Sequence, residues 1–276
     1  MKRNIYFLSF ADSSLKPTLQ RIGKEAEYFK LFKQIFLLTE KELPTDTYNQ
    51  CQTIIEQSGS KRGYGFWSWK PAIILDILLK INEDDIVFYC DAGSHLNCNG
   101  KRLLKKYIKH AIEQDIWAGQ LSNQYNDYAY TKSDTILLFK DKITDPNVLF
   151  TGQVQPGNII LKKNDYTIRL IKQWKQLMTI KNLHYFDDSP SFTPNHKSFI
   201  ENRHDQSIFS LLIKTNHAFL EDACTLWYPY ELWTICRLPI LNMRDKNNTY
   251  PIIEYIPPFR WIINRIRWEI NKYRKK

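Results

Sequence analysis

Residues Ile86-Val87-Phe88-Tyr89-Cys90 are five consecutive β-formers without polar alternation, and they run into Asp91-Ala92-Gly93-Ser94-His95. A short unbroken apolar run reads as a strand buried on both faces, the condition of a parallel strand covered by helices. Such a strand delivers the next residue to the rim of the sheet, where open α/β sheets bind their ligands. Sequence alone therefore puts Asp91 at the mouth of a crevice.

The chain before it has the same grammar. Residues 4–11 are mostly apolar and read as a buried strand. Asp12-Ser13-Ser14 and Pro17 are helix-start chemistry, so a helix is expected over about 17–32, then a strand over 34–39. Strand, helix, strand is the unit that builds a parallel sheet. Further helices are expected over 46–57, 72–81, 101–114 and 164–178, and a strand over 116–119. Residues 120–135 are polar and rich in Tyr, and 182–198 carry Pro, His and Asp; both read as long loops facing solvent or an acceptor. With no internal repeat, low-complexity run or clean linker, the chain divides into one domain, 1–258, and a basic segment, 259–276.

Three other stretches carry chemistry. Ser58 to Pro71 holds three glycines, three basic residues and four aromatics before a helix. Glycine lets backbone approach a ligand, Arg62 and Lys70 suit phosphate, and Tyr64 and Trp67 offer flat faces. Lys70 just ahead of a helix suits an anion at a helix N-terminus. The structural alternative is a tight loop whose Trp residues plug the core. Val148 to Leu161 has the glycines and amides of a site loop, among them Gln155 and Asn158. Arg203-His204-Asp205-Gln206 opens an apolar helix; Asp205 as a mere helix cap is the structural alternative.

The net charge is +10, and residues 259–276 hold seven Lys/Arg against one Glu, a net +6 in that segment alone. Mixed with Trp261 and Trp268 at helical spacing, this reads as a basic amphipathic helix on an anionic membrane surface. A nucleic-acid binder would spread its charge over a folded face, so nucleic acid is not an expected partner. Five widely spaced cysteines form no Cys-x-x-Cys pair and fit a reducing cytosol. The short apolar run after Met1 reads as a first strand, not a signal peptide, and no run reaches the ~20 residues of a spanning helix. Walker, HExxH, GxSxG and GxGxxG motifs are missing, which leaves P-loop, zinc-protease, serine-hydrolase and classical dehydrogenase readings unsupported.

Three patches, "RGYGFWSWKP", "IVFYCDAGSH" and "RHDQSIFSLL", together resemble a GT-A-type glycosyltransferase of the nucleotide-sugar-dependent, bacterial surface-polysaccharide kind. The resemblance implies a Rossmann-like α/β fold with a central, mostly parallel sheet flanked by helices, followed by the basic C-terminal helical extension. It implies hexosyl or related transfer from a nucleoside-diphosphate sugar, a UDP-sugar in the first place, to a saccharide or lipid-linked saccharide. That places the protein in lipopolysaccharide or capsule biosynthesis, in the cytoplasm and peripherally on the inner face of the cell membrane. On this resemblance Ala11, Asp12, Arg62, Tyr64, Trp67, Lys70, Asp91, Ala92, Gly93, Gln155 and Asn158 bind the donor, and Asp205 and Gln206 are catalytic. The family's Asp-x-Asp motif holds Mn²⁺ or Mg²⁺; here Gly93 replaces its second acid. Either Asp91 carries the metal, helped by His95 or a distant ligand, or the metal is weak or absent and Arg62 and Lys70 balance the diphosphate. Glutamine is a poor nucleophile, so Gln206 fits front-face retention, while Asp205 as a base would give inversion. Two other functions stay open: a basic, aromatic-rich nucleic-acid or polysaccharide-binding module, and a nucleotidyltransferase or phosphodiesterase using Asp91, His95 and Asp205.

Overall fold

The structure is a computed structural model that describes residues 3–216, 220–222 and 238–248. The basic segment 259–276, with its expected membrane contact, lies outside the described residues, as do Cys224 and Cys236.

In chain order the elements are β1 (Ile5–Phe10), α1 (Lys16–Tyr28), β2 (Gln34–Leu38), α2 (Thr45–Ser58), α3 (Gly63–Phe66), α4 (Lys70–Lys80), β3 (Ile86–Cys90), β4 (His95–Leu96), α5 (Lys101–Gln114), β5 (Ile116–Gln120), α6 (Asp127–Tyr130), α7 (Ser133–Leu137), β6 (Val154–Lys162), α8 (Asp165–Leu177), α9 (Leu183–Phe186), α10 (Asp205–Thr215), β7 (Leu220–Asp222) and β8 (Ile240–Leu241). Six strands form one sheet in the order β2-β1-β3-β6-β5-β7. β1 pairs parallel with β2 and β3, and β5 pairs parallel with β7; β6 runs antiparallel between β3 and β5. The sheet is thus mixed and mostly parallel, with helices on both faces, as the buried strands require.

The two faces separate cleanly because strand side chains alternate. Phe7, Ile86, Phe88 and Ile160 pack with Leu19 and Ile22 of α1 and Leu104 and Tyr107 of α5. Leu8, Val87, Tyr89, Ile159 and Leu161 pack with Ile73, Ile74 and Ile77 of α4, Leu170 and Trp174 of α8, and Ile208 and Leu212 of α10. Continuing the alternation of Val87 and Tyr89 by one step puts Asp91 on the side of α4 and α10.

Several expected boundaries move for local reasons. The first helix ends at Tyr28 rather than about residue 32, because Lys30 takes a left-handed φ of 48°. Residues 120–135 are not a solvent-facing loop: they hold α6 and α7, and Asp127, Thr131 and Lys132 are buried. Their polarity is used internally, Asp127 pairing with Lys214 and Lys132 with Asp187. Residues 182–198 do run mostly without regular structure, apart from α9, but Asp134 pins them by accepting from Phe192 N and Thr193 N. Residues 217–258 yield β7 and β8 where they are described, and β8 pairs antiparallel with β4.

Candidate functional site

Three elements converge at the carboxyl end of β3. Asp91 follows the strand, Lys70 is the first residue of α4, and Asp205 is the first residue of α10. Lys70 Nζ lies 2.6 Å from Asp205 Oδ2 and 3.2 Å from Asp91 Oδ1, and its side chain is 1% exposed. Tyr89, two residues back on the same strand face, donates its hydroxyl to Asp91 Oδ1 at 2.5 Å. Burial alone favours a neutral amine, but the Asp205 and Asp91 carboxylates outweigh it and hold Lys70 above the ordinary lysine range. Burial pushes the Asp205 carboxyl up to about 6, against the pull of Lys70 and with a further push from Asp91. Asp91 itself sits against backbone: its N–H donates to Gly157 O at 2.8 Å, and a Cβ on Gly157 would stand 2.9 Å from its Oδ2.

Lys70 reaches this position through an unusual turn. Gly63, Tyr64, Gly65, Phe66 and Trp67 all have positive φ, between 52° and 84°. Three of them are not glycine, and left-handed backbone costs such residues roughly 1–2 kcal/mol each. Close packing compensates. Trp69 stacks on Phe10 with centroids 3.9 Å apart and donates Nε1–H to Gly63 O, and Tyr64 accepts from Gln52. The Trp67 indole covers Gly63 so closely that a Cβ there would come within 2.4 Å of it. The stretch divides: Phe66 and Trp69 are buried in the core, while Arg62, Tyr64, Trp67 and Lys70 line a cleft.

That cleft measures about 520 Å³. Ala11, Asp12, Asp91, Ala92, Gly93, Gln155, Asp205 and Gln206 also line it, so most expected site residues meet in one place. The register explains why. Parallel pairing of Leu8 with Tyr89 brings the ends of β1 and β3 level, and antiparallel pairing of Cys90 with Asn158 carries residues 155–157 past them. A register shift between β5 and β6 frees Gln155, Pro156 and Gly157 from pairing with β5. Arg62 sits at the rim, 3.2 Å from Asp188, which also bonds His204 Nε2 at 2.9 Å. His204 stacks on Phe66 and adopts φ 52°, ψ −121°, so the backbone that delivers Asp205 is strained.

Two expected residues lie elsewhere. Asn158 does not line the cleft; it is buried behind the floor, bonded to Cys90 Sγ and to Asn242. His95 does not reach Asp91. It is 1% exposed, with Nδ1 2.7 Å from Glu25 and Nε2 3.0 Å from Asp245. Arg21 completes this buried quartet, bonding Glu25 and the Ala92 and Ser94 carbonyls, so it braces the turn after Asp91 from below. The expected pairing of His95 with Asp91 on a metal is therefore corrected: its ring serves an internal charge network. Among the described residues no group of three or more His, Cys, Asp or Glu side chains is placed to hold a metal. The donor set beside Asp91 does not fit Mn²⁺ or Mg²⁺, because a lysine ammonium sits between Asp91 and Asp205, the two carboxylates that meet there among the described residues.

Other lining residues were not singled out from sequence. Asn242, Arg244 and Lys246 come from the segment 238–248, which is strapped across α1 and β4. Asp245 N donates to Gly93 O, Thr18 Oγ1 to Lys246 O and Arg21 Nε to Asn248 Oδ1. No local signal announces it, since its anchors lie some 150 to 230 residues away in the chain. With them the lining has six basic residues (Lys61, Arg62, Lys70, Arg203, Arg244, Lys246) against four acidic ones (Asp12, Asp91, Glu201, Asp205). The lining therefore carries a net positive charge, and the N-termini of α4 and α10 add the same sign.

Gln206 is oriented by its neighbour. Gln153 Nε2 donates to Tyr130 O and Thr131 Oγ1, so its Oε1 accepts from Gln206 Nε2 at 2.7 Å. The Gln206 carbonyl oxygen accepts nothing from the described residues and is the end of the amide left for a ligand.

No protein-family model matches the chain, and none of the curated proteins matches it. Among solved structures, apo mouse xyloside xylosyltransferase 1 superposes with a TM-score of 0.42 at 11% identity, over 93% of this chain and 100% of that one. A glycosyltransferase involved in the glycosylation of the major capsid of PBCV-1 superposes with a TM-score of 0.43 at 12% identity, over 87% and 94%. Likenesses this loose carry no functional weight, and the cleft is read from its own residues.

Proposed function

We propose that the protein is a glycosyltransferase that takes a sugar from a nucleoside-diphosphate sugar and passes it to a saccharide or lipid-linked saccharide. The observation that carries this is the Asp91–Lys70–Asp205 cluster on the floor of a cationic cleft at the strand ends. A nucleoside diphosphate needs cations along one wall and a crevice for its sugar, and the donor's own sugar needs fixed polar groups beside its anomeric carbon. Arg62, Arg244 and Lys246 supply the first. Lys70 holds the Asp205 carboxylate for the sugar hydroxyls, and the Gln206 carbonyl oxygen faces the positive charge that develops at the anomeric carbon.

Retention suits these groups better than inversion. Asp205 is buried and ion-paired with Lys70, which favours an orienting role over that of a base. In the front-face route the bond from the anomeric carbon to the diphosphate oxygen breaks. The bond to the acceptor oxygen forms on the same face, and the acceptor proton passes to the leaving diphosphate. The binding-module alternative is less apt, because two of the four aromatics of the basic loop, Phe66 and Trp69, are buried in the core, which leaves Tyr64 and Trp67 as the loop's stacking faces at the cleft. The lipid-linked form of the acceptor rests on the charge of residues 259–276 alone. Incubating the full chain with UDP- and GDP-hexoses and following the anomeric proton by NMR tests the reading. Release of nucleoside diphosphate with an α-product from an α-donor is expected; an unchanged donor panel under all acceptors would refute it.

A further inference from the structure

A divalent ion held by carboxylates needs room between their oxygens. Where Asp91 and Asp205 converge, that room is taken by Lys70 Nζ, in contact with an oxygen of each. The Asp91 oxygen facing Lys70 also accepts from Tyr89, and the other lies against Gly157. Lys70 has no easy retreat: it is almost wholly buried, and Pro71 follows it in the first turn of α4. Gly93 leaves its neighbourhood to the backbone of Arg244, 3.5 Å from where a Cβ would stand. The position that a second acid would fill thus lies against the backbone of the segment 238–248.

We infer that the cleft works with a built-in cation: the Lys70 ammonium stands between Asp91 and Asp205 where a divalent metal would have to sit, and a bound diphosphate is neutralised by Arg62, Arg244 and Lys246 instead of by a metal. The first half stands on the cleft alone; the second rests on the donor reading above.

Both halves are tested on the full, chelator-stripped chain. Electron paramagnetic resonance of added Mn²⁺ reads the first. Wild type leaves the free-ion signal undiminished, whereas Lys70→Met, which removes the ammonium and leaves two facing carboxylates, binds Mn²⁺ about tenfold or more tightly than wild type, a gain that Asp91→Asn removes. Stoichiometric Mn²⁺ binding by wild type that Asp91→Asn abolishes overturns the inference, and so does a folded Lys70→Met that binds no more Mn²⁺ than wild type. If Lys70→Met does not fold, the wild-type signal decides alone. Calorimetry with UDP and GDP reads the second half: affinities in EDTA and in Mn²⁺ agree within about twofold, and a tenfold or larger gain with Mn²⁺ overturns it. Absence of nucleotide binding in both buffers, with the Mn²⁺ signal undiminished, contradicts the donor reading and leaves the built-in cation standing.

Discussion

At the scale of single residues, Asp205 concentrates the chemistry. Its carboxyl titrates at about 6, so it is the carboxylate at neutral pH and takes up a proton as the pH falls through that value, losing its bond of charge to Lys70. Lys70, Asp91 and Tyr89 are the titratable groups facing it. The rate of sugar transfer is expected to fall on the acid side of about pH 6, and Asp205→Asn to lose both this limb and about 10²-fold or more in kcat. A flat profile in wild type, or near-normal turnover in the variant, removes Asp205 from the reaction. Asparagine is the better substitution than alanine, because it removes the charge but keeps the side chain's shape and an oxygen for Lys70, where alanine would also leave a void beside a buried ammonium. Gly157→Ala is a quieter probe. Its Cβ would press on Asp91 Oδ2, so kcat should drop while the urea midpoint changes little.

At the scale of elements, the left-handed turn from Gly63 to Trp67 aims Lys70. Gly63→Ala meets both a φ of +57° and the Trp67 ring, and is expected to destabilise the protein by about 1–3 kcal/mol, read from chemical denaturation. An unchanged midpoint would show that the turn is not rigid. The turn, the strand end and the opening of α10 were all legible in the sequence, since each is a local pattern: glycines among aromatics, an apolar run ending in Asp91, polar residues ahead of an apolar helix. What was illegible depends on partners far along the chain. Asp127, Lys132 and Lys214 read as surface until their pairing is known, and Arg244 and Lys246 sit in a segment whose place is set by Gly93, Thr18 and Arg21. His95 misled for the same reason: proximity to Asp91 in sequence said nothing of Glu25 and Asp245, which claim its ring.

At the scale of the whole molecule, the quartet Arg21, Glu25, His95 and Asp245 ties α1, β4 and the segment 238–248 together beneath the cleft. Burial pulls the His95 ring down, but Asp245 and Glu25 outweigh it and raise it above its ordinary 6.5. The stabilisation this brings is complete below pH 6.5 and is lost as the pH rises through the higher folded value. Urea midpoints should therefore decline on the alkaline side of pH 6.5, and His95→Gln should flatten the decline. The tail poses a separate question. Liposomes rich in anionic lipid are expected to co-sediment with the full chain and not with one lacking residues 259–276; equal binding by both excludes the tail as the anchor.

The central claim is that the cationic cleft holds a nucleoside-diphosphate sugar over Asp91, Lys70 and Asp205. A thermal-shift panel of UDP-, GDP- and CMP-sugars on the full chain tests it most directly. A ligand at a hundred times its Kd stabilises by about 2.7 kcal/mol, a rise in Tm of several degrees for a chain of this size. One nucleoside diphosphate sugar should give that rise in wild type and lose it in Arg244→Ala. A panel that leaves Tm unmoved at saturating concentrations, or a shift that Arg244→Ala does not touch, contradicts the account.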